Sequence, residues 1–80
     1  MIVEYQDGGE ESRLLITSCF FERREHNRLV DEVLFNVPGL RAVDEGFLRR
    51  TTVISGATAW VMCAEVTVEE NGYEVRRFRL

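Results

Sequence analysis

Apolar and polar positions divide the 80-residue chain into segments with two different periods. A period of two is typical of strands, whereas apolar residues three and four apart are typical of a helix. The helical pattern begins after residue 21 and stops at Pro38-Gly39, a signal that ends helices. The pattern predicts strands over residues 2–6, 13–21, 47–54, 59–69 and 73–80, with the helix between the second and third strands.

Two glycine-containing turns are predicted to join strands. Asp7-Gly8-Gly9 ends the first strand, and Asn71-Gly72 separates the last two. Asn-Gly is favoured in type I′ hairpin turns because both central residues need positive φ. We therefore expect residues 59–69 and 73–80 to pair as a hairpin, with one bulge that keeps the apolar side chains in register.

The predicted elements follow the order ββαβββ. This order favours the α+β class, with an antiparallel sheet of about five strands and one helix packed on one face. No linker, repeat or long charge block divides the chain, so residues 1–80 are predicted to form a single domain.

The predicted helix has an apolar side and a charged side when residues are placed 100° apart. The inward residues are His26, Leu29, Val30, Val33, Leu34 and Val37. The outward residues are Arg24, Arg28, Asp31 and Phe35. The charged side is typical of an ordinary solvated face, but an aromatic residue among arginines is also typical of a protein contact site.

The predicted strand over residues 59–69 has more apolar surface than one helix can cover. Its first face, predicted to lie under the helix, contains Trp60, Met62, Ala64, Val66 and Val68. Its second face begins with Ala59, Val61 and Cys63, beside Ile54. We expect a second copy of the chain or a different protein to cover the second face. The alternative is that the 41–46 loop and the first strand fold over it.

The charge of the chain favours a protein partner over nucleic acid or a membrane. The net charge is −4 and the isoelectric point is about 4.9, so the long-range field repels polyanions and suits a basic partner such as a nucleic-acid-binding protein. We therefore expect a small non-enzymatic interaction module of the inhibitor, immunity or adaptor type, forming a homodimer. The predicted partner-binding residues are Arg24, Arg28, Phe35, Ile54, Ala59, Val61 and Cys63.

A nucleic-acid-binding regulator is the alternative function, because all ten basic residues are arginine, which binds phosphate in a bidentate way. The arginines that a dimer would gather are Arg24, Arg28, Arg50, Arg76 and Arg79, with Tyr5 or Tyr73 available for stacking. Predicted cross-strand neighbours of Arg76, including Glu65, favour simple ion pairing instead. The pattern leaves open whether Arg49 is buried.

No catalytic, cofactor or metal site is predicted. Cys19, Cys63 and His26 lack the paired spacing of a zinc site, and neither cysteine lies in a nucleophile motif. The paired acids lie beside turns, where they are well solvated, and Gly8-Gly9 lacks the lysine of a phosphate-binding loop. A packed imidazole with a hydrogen bond is the expected role of His26.

The chain is expected to be cytoplasmic. Its start has no basic region typical of a signal peptide, and its longest apolar stretch, residues 59–64, is far below the roughly 18 residues of a membrane span. Two cysteines are too few for a disulfide framework.

Overall fold

Strands and helices follow one another in the order ββαββαβ. The computed structural model describes residues 1–46 and 48–79, with the side chains of residues 78 and 79 outside the description. The elements are β1 (Ile2–Gly8), β2 (Glu11–Cys19), a 3-10 turn (Phe20–Glu22), α1 (Arg23–Asn36), β3 (Arg41–Glu45), β4 (Arg49–Ala57), α2 (Thr58–Glu70) and β5 (Val75–Arg79). Phe47 and Leu80, at the ends of two predicted strands, lie outside the described residues.

The five described strands form one mixed sheet in the order β3-β4-β2-β1-β5. Three neighbouring pairs are antiparallel, and β1 and β5 are parallel. Because β4 is antiparallel to both β2 and β3, the unit β2-α1-β3 is a split β-α-β motif. The unit β4-α2-β5 is a second such motif, with β2 and β1 between its strands.

The first turn is a tight hairpin, as the glycine pair predicts. Gly8 pairs with Glu11, and the two residues between them complete the turn. Asp7 supports it, because its Oδ1 accepts a hydrogen bond of 2.9 Å from the Gly9 amide. This local bond to the backbone is a typical way in which aspartate stabilises turns.

Both helices pack on the same side of the sheet. In β1, β2 and β4, every second side chain is buried, and the strand registers place these residues on one face. The apolar core comprises Val3, Tyr5, Leu14, Ile16, Leu29, Val30, Val33, Val37, Leu40, Ile54, Val61, Ala64 and Val68. The opposite side of the sheet, the open sheet face, has no helix against it.

The structure confirms the α+β class and a five-stranded sheet, and it corrects three finer predictions. The sheet is mixed, the described residues form two α-helices, and the order is not ββαβββ. Residues 59–69 belong to α2 and not to a strand. Helix α1 agrees with its prediction, since His26 is buried on its inner side and Phe35 is exposed on its outer side.

Asn71-Gly72 ends α2 and does not form a hairpin turn. Gly72 has φ of +88°, and its amide donates to the Glu69 carbonyl at 3.0 Å. The Tyr73 amide donates to the Val68 carbonyl at 3.4 Å, which completes a Schellman motif. The chain then continues into β5, which pairs with β1, so the hairpin and its bulge were wrong.

The alternative cover of the second sheet face, by the 41–46 loop and the first strand, is wrong. Residues 41–45 form the edge strand β3 instead of a loop folded over the face, and β1 lies inside the sheet. Arg49 pairs with Cys19 on the open sheet face and is exposed, which answers the question that the sequence left open.

Candidate interaction surface

Helix α2 has apolar residues on both of its sides. The side against the sheet contains Val61, Ala64, Glu65 and Val68, all buried. The opposite side contains Ala59, Met62, Cys63 and Val66, which are all exposed and which we name the α2 outer stripe. Both sets follow the spacing i, i+3, i+4, i+7 of a single helix face. Helices that are apolar all round are normally buried, but no residue that the structure describes covers the outer stripe.

Two aromatic residues flank the α2 outer stripe. Trp60 is 50% exposed and lies against Gly39, where an added Cβ would overlap the indole ring. Phe35, in the last turn of α1, is 85% exposed. The contact between Gly39 and Trp60 places the carboxyl end of α1 beside the amino end of α2, so both aromatic residues lie at the same end of the helix layer.

The other end of the helix layer is polar. Tyr73, which follows α2, donates from its hydroxyl to Glu25 in the first turn of α1 at 3.3 Å. Together with Arg28, Leu29 and Asn71, these residues line a shallow cavity of about 140 Å³. Burial raises the pKa of Tyr73, and the nearby Glu25 carboxylate adds to the effect. The contacts at the two ends show that the helices are antiparallel. The helix layer has an apolar end near Phe35 and Trp60 and a charged end near Glu25 and Arg28.

The charges of α2 are distributed against its own dipole. The N-cap residue, Ala57, provides no side-chain cap, and the first turn contains no acid. The last turn contains no base, and the helix ends with Glu69 and Glu70. Helix dipoles favour acids at the amino end and bases at the carboxyl end, so α2 has the less favourable arrangement.

The open sheet face carries a smaller apolar patch. Val43, Val53 and Leu15 are neighbours across β3, β4 and β2, and Val43 is 59% exposed. Beside them, the hydroxyl groups of Thr17 and Thr51 are 3.1 Å apart. A short apolar row bordered by hydroxyl groups and charges is typical of the solvated side of a sheet.

A chain of hydrogen bonds lies under α1, around His26. His26 Nδ1 is 2.5 Å from Ser18 Oγ, and its Nε2 is 2.6 Å from Thr52 Oγ1. Thr52 donates to Asp44, whose second oxygen accepts from Arg50 at 2.9 Å. Since the carboxylate only accepts, Thr52 must accept from His26 Nε2–H. The network thus fixes a proton on Nε2, and in the neutral imidazole Nδ1 accepts from Ser18.

Burial favours the same neutral state. Burial lowers the pKa of His26 below its ordinary value of 6.5, and the nearby Arg50 guanidinium lowers it further. The hydrogen bond from Thr52 is the largest cause of the lowered pKa of Asp44. The hydrogen-bonded chain from Ser18 through His26 and Thr52 to Asp44 resembles a hydrolytic triad. Ser18, however, is buried along with His26 and Thr52 and is not open to a substrate. We interpret this network as a structural link between α1 and the sheet.

The predicted partner-binding residues fall in three places. Arg24, Arg28 and Phe35 are exposed on the outer side of α1, and Ala59 and Cys63 are exposed on the α2 outer stripe. Ile54 and Val61 are fully buried in the core, so no partner can reach them in this fold. The prediction placed these two on a second sheet face because it took residues 59–69 as a strand. The surface residues that the prediction missed are Trp60, Met62 and Val66, which it assigned to the core. Met62 and Val66 share a spacing of three and four residues with Ala59 and Cys63, but the same segment also fits the alternation of a strand.

The structure does not bring the predicted nucleic-acid-binding arginines together. Arg24 and Arg28 lie on the helix layer, whereas Arg76 lies on the open sheet face. Arg50 is bound to Asp44 and to the Asn27 side chain. The side chain of Arg79 lies outside the described part of the structure. Tyr5, one of the two predicted stacking residues, is buried. Glu65, a predicted ion-pair partner of Arg76, pairs with Arg77 instead.

The two cysteines and the histidine also remain separate. Cys19 and Cys63 are exposed free thiols, whereas both ring nitrogens of the buried His26 are bonded to hydroxyl groups. Within residues 1–46 and 48–79, no group of three or more histidine, cysteine or acidic side chains is placed to hold a metal ion.

Comparison of the chain with protein-family models, with curated proteins and with solved structures finds no match. Across the described residues, neither helix combines the length and the apolar character that crossing a membrane requires.

Proposed function

We propose that this protein is a small non-enzymatic interaction module, of the inhibitor, immunity or adaptor type, completed by another polypeptide. The observation that supports the proposal is the α2 outer stripe, a second apolar face on a helix whose first face already forms the core. The docking surface consists of this stripe with Trp60 beside it and Phe35 on α1.

The energetics favour a partner at this surface. Met62 and Val66 are 50% and 52% exposed, so covering them should add roughly half of the 1.5–3 kcal/mol that complete burial of such a side chain contributes. Tryptophan, here Trp60, is enriched among the few contacts that dominate binding energy, and phenylalanine, here Phe35, is enriched at protein interfaces. A stable interface covers about 800 Å² on each partner, so the stripe serves as its centre with polar residues around it.

The charged surroundings suit a basic protein partner. The net charge of −4 attracts such a partner over long range, and the acids at the end of α2 lie beside the stripe. Arg24 and Arg28 add local contacts for acidic groups on the rim. Two exposed free thiols fit a reducing compartment such as the cytoplasm.

A pair of matched variants tests the docking surface. Val66→Glu places a charge on the α2 outer stripe, and Val43→Glu makes the same change on the open sheet face at a similar exposure. In pull-down experiments from nuclease-treated lysate, we expect Val66→Glu and Phe35→Ala to release the bound partner and Val43→Glu to retain it. Circular dichroism of each variant checks that the fold is intact.

Two other outcomes would change the proposal. Loss of the partner only with Val43→Glu would move the docking surface to the open sheet face. Binding of nucleic acid in a gel shift, with an affinity that falls steeply as the salt concentration is raised, would instead favour the nucleic-acid-binding regulator that uses arginines. Because Arg24 and Arg76 lie on opposite layers, the geometry supports this alternative less well.

A further inference from the structure

We infer that the polypeptide that covers the α2 outer stripe is a second copy of this chain, with the two α2 helices packed antiparallel. A two-fold axis then passes between Met62 and Cys63. This inference rests on the proposed function, because it names a second copy, which carries the same net charge of −4, in place of a basic partner at the same surface.

The spacing of the stripe is self-complementary. Ala59, Met62, Cys63 and Val66 are separated by three, one and three residues, so reversing the helix direction leaves the spacing unchanged. Antiparallel pairing places Met62 against the partner's Cys63 and Ala59 against the partner's Val66. Each larger side chain therefore meets a smaller one, which allows close packing of the two helices. Two-fold interfaces of this kind are the commonest in soluble oligomers.

The charges of α2 select the antiparallel direction. Glu70 continues the line of the stripe, four residues after Val66, and the amino end of α2 has no side-chain cap and no acid. Antiparallel pairing brings the partner's Glu70 toward this amino end, where the helix dipole favours an anion. Parallel pairing would instead bring the acids of the two carboxyl ends together. The unfavourable charge arrangement of the single helix thus becomes favourable in the pair.

Cysteine cross-linking tests the predicted axis. Cys63 lies beside the axis in both copies, so a short bismaleimide should link two chains through this residue. The chain contains one other exposed thiol, Cys19, which lies at the end of β2. We expect Cys19→Ala to retain the linked dimer and Cys63→Ala to abolish it. Links through Cys19 alone would overturn the proposed geometry.

Sedimentation measures the association itself. We expect the wild-type chain and Val43→Glu to be dimeric at concentrations of hundreds of micromolar, and Val66→Glu to be monomeric. A monomeric wild-type chain would overturn the inference, and the proposed function would still stand if Val66→Glu released a different protein in the pull-down. A dimer that only Val43→Glu disrupts would also overturn it, because the copies would then meet through the open sheet face.

Glu70→Lys separates a role in pairing from a role in the fold. A base in the last turn suits the dipole of α2, so thermal unfolding of the variant under monomeric conditions should occur at the same or a higher temperature. Its dimer should nevertheless dissociate roughly threefold to tenfold more readily, since each copy loses a favourable contact at the partner's helix end. Unchanged dimer affinity would exclude the antiparallel arrangement.

Discussion

His26 and Thr52 form a buried link between α1 and β4, with 2.6 Å between His26 Nε2 and Thr52 Oγ1. Ser18 bonds the second ring nitrogen at 2.5 Å, so the imidazole has a hydrogen-bond partner on each side. The Thr52 hydroxyl in turn donates a hydrogen bond to Asp44, which extends the network. Because both ring nitrogens are hydrogen-bonded, the desolvation cost is offset and a polar side chain can lie on the buried, apolar side of α1.

Thr52→Val should destabilise the protein by about 1–3 kcal/mol, because it leaves the His26 N–H buried without an acceptor. Thr51→Val is the matched control. Thr51 is the neighbouring residue of β4, on the partly exposed open sheet face, so its replacement removes only the hydrogen bond with Thr17 and should cost less than about 1 kcal/mol. Urea unfolding of both variants measures the difference. Equal losses would contradict a special role for the buried network.

The lowered pKa of His26 predicts a loss of stability in mild acid. The His26 imidazole takes up a proton near pH 6.5 in the unfolded chain, whereas in the folded chain it does so only at a lower pH. The unfolded state therefore binds more protons between these two values, and stability falls as pH decreases below about 6.5. The nearby groups act in opposite directions, since Arg50 lowers the pKa of His26 and Asp44 and Glu22 raise it.

Urea unfolding from pH 8 to pH 3 measures this effect, and His26→Gln provides the control. The variant should lose the decrease near pH 6 while keeping a separate decrease at lower pH. Asp44 contributes to the latter, because its pKa is lowered from 3.8 and its stabilisation disappears as pH falls below that value. The same slope near pH 6 in the variant would show that another group titrates there.

Local patterns predicted α1 well, but they could not distinguish α2 from a strand. The sides of α1 differ sharply in polarity, so its period is clear. In α2 the two interleaved apolar faces make Trp60, Met62 and Ala64 look like alternate residues of a strand, and the valines favour a strand as well. Asn71-Gly72 did not resolve the ambiguity, because positive φ serves both a hairpin turn and a helix end.

Other features depend on contacts that are distant in the chain. Strand β3 is exposed along its length, and it has no burial pattern to reveal it; pairing with β4 makes it a strand. The burial of His26 followed from its place on α1, but its partners come from strands on either side of α1 in the sequence, Ser18 from β2 and Thr52 from β4, beyond β3. The outer stripe became visible only once α2 was known to be a helix.

Arg77→Met should destabilise the protein by leaving the Glu65 carboxylate buried without its ion-pair partner. Glu65 is buried, and its Oε2 is the one buried side-chain oxygen or nitrogen without a hydrogen bond among the described residues. The Arg77 side chain is 65% exposed, so we expect a loss of about 1–3 kcal/mol instead of the 3–5 kcal/mol of a fully buried pair.

Two further variants check the cause of this loss. Arg76→Met on the open sheet face should cost less than about 0.5 kcal/mol. Replacing both Glu65 and Arg77 by Met should restore most of the stability, since no buried charge remains. A double variant as unstable as Arg77→Met would show that the arginine acts through its packing instead of its charge.

The stability of variants at Gly72 should follow how well each substituted residue tolerates positive φ. The φ of +88° is strained for residues with a Cβ, and asparagine tolerates this region better than other residues do. We expect stability to decrease from Gly to Asn to Ala to Val, with a loss of about 1–2 kcal/mol at Ala. Thermal unfolding of the four chains gives the order. A Val variant as stable as the Asn variant would contradict the Schellman motif.

Trp60 is the one tryptophan of the chain and should report on the α2 outer stripe by its fluorescence. Its ring is half exposed against Gly39 at the edge of the stripe. When a second copy covers the stripe, water leaves the ring, so the emission should shift to shorter wavelength as concentration rises. In Val66→Glu the emission should not change with concentration. Gly39→Ala forces the ring away from residue 39, and its emission should lie at longer wavelength than wild type when both are dilute. An identical spectrum would contradict the contact.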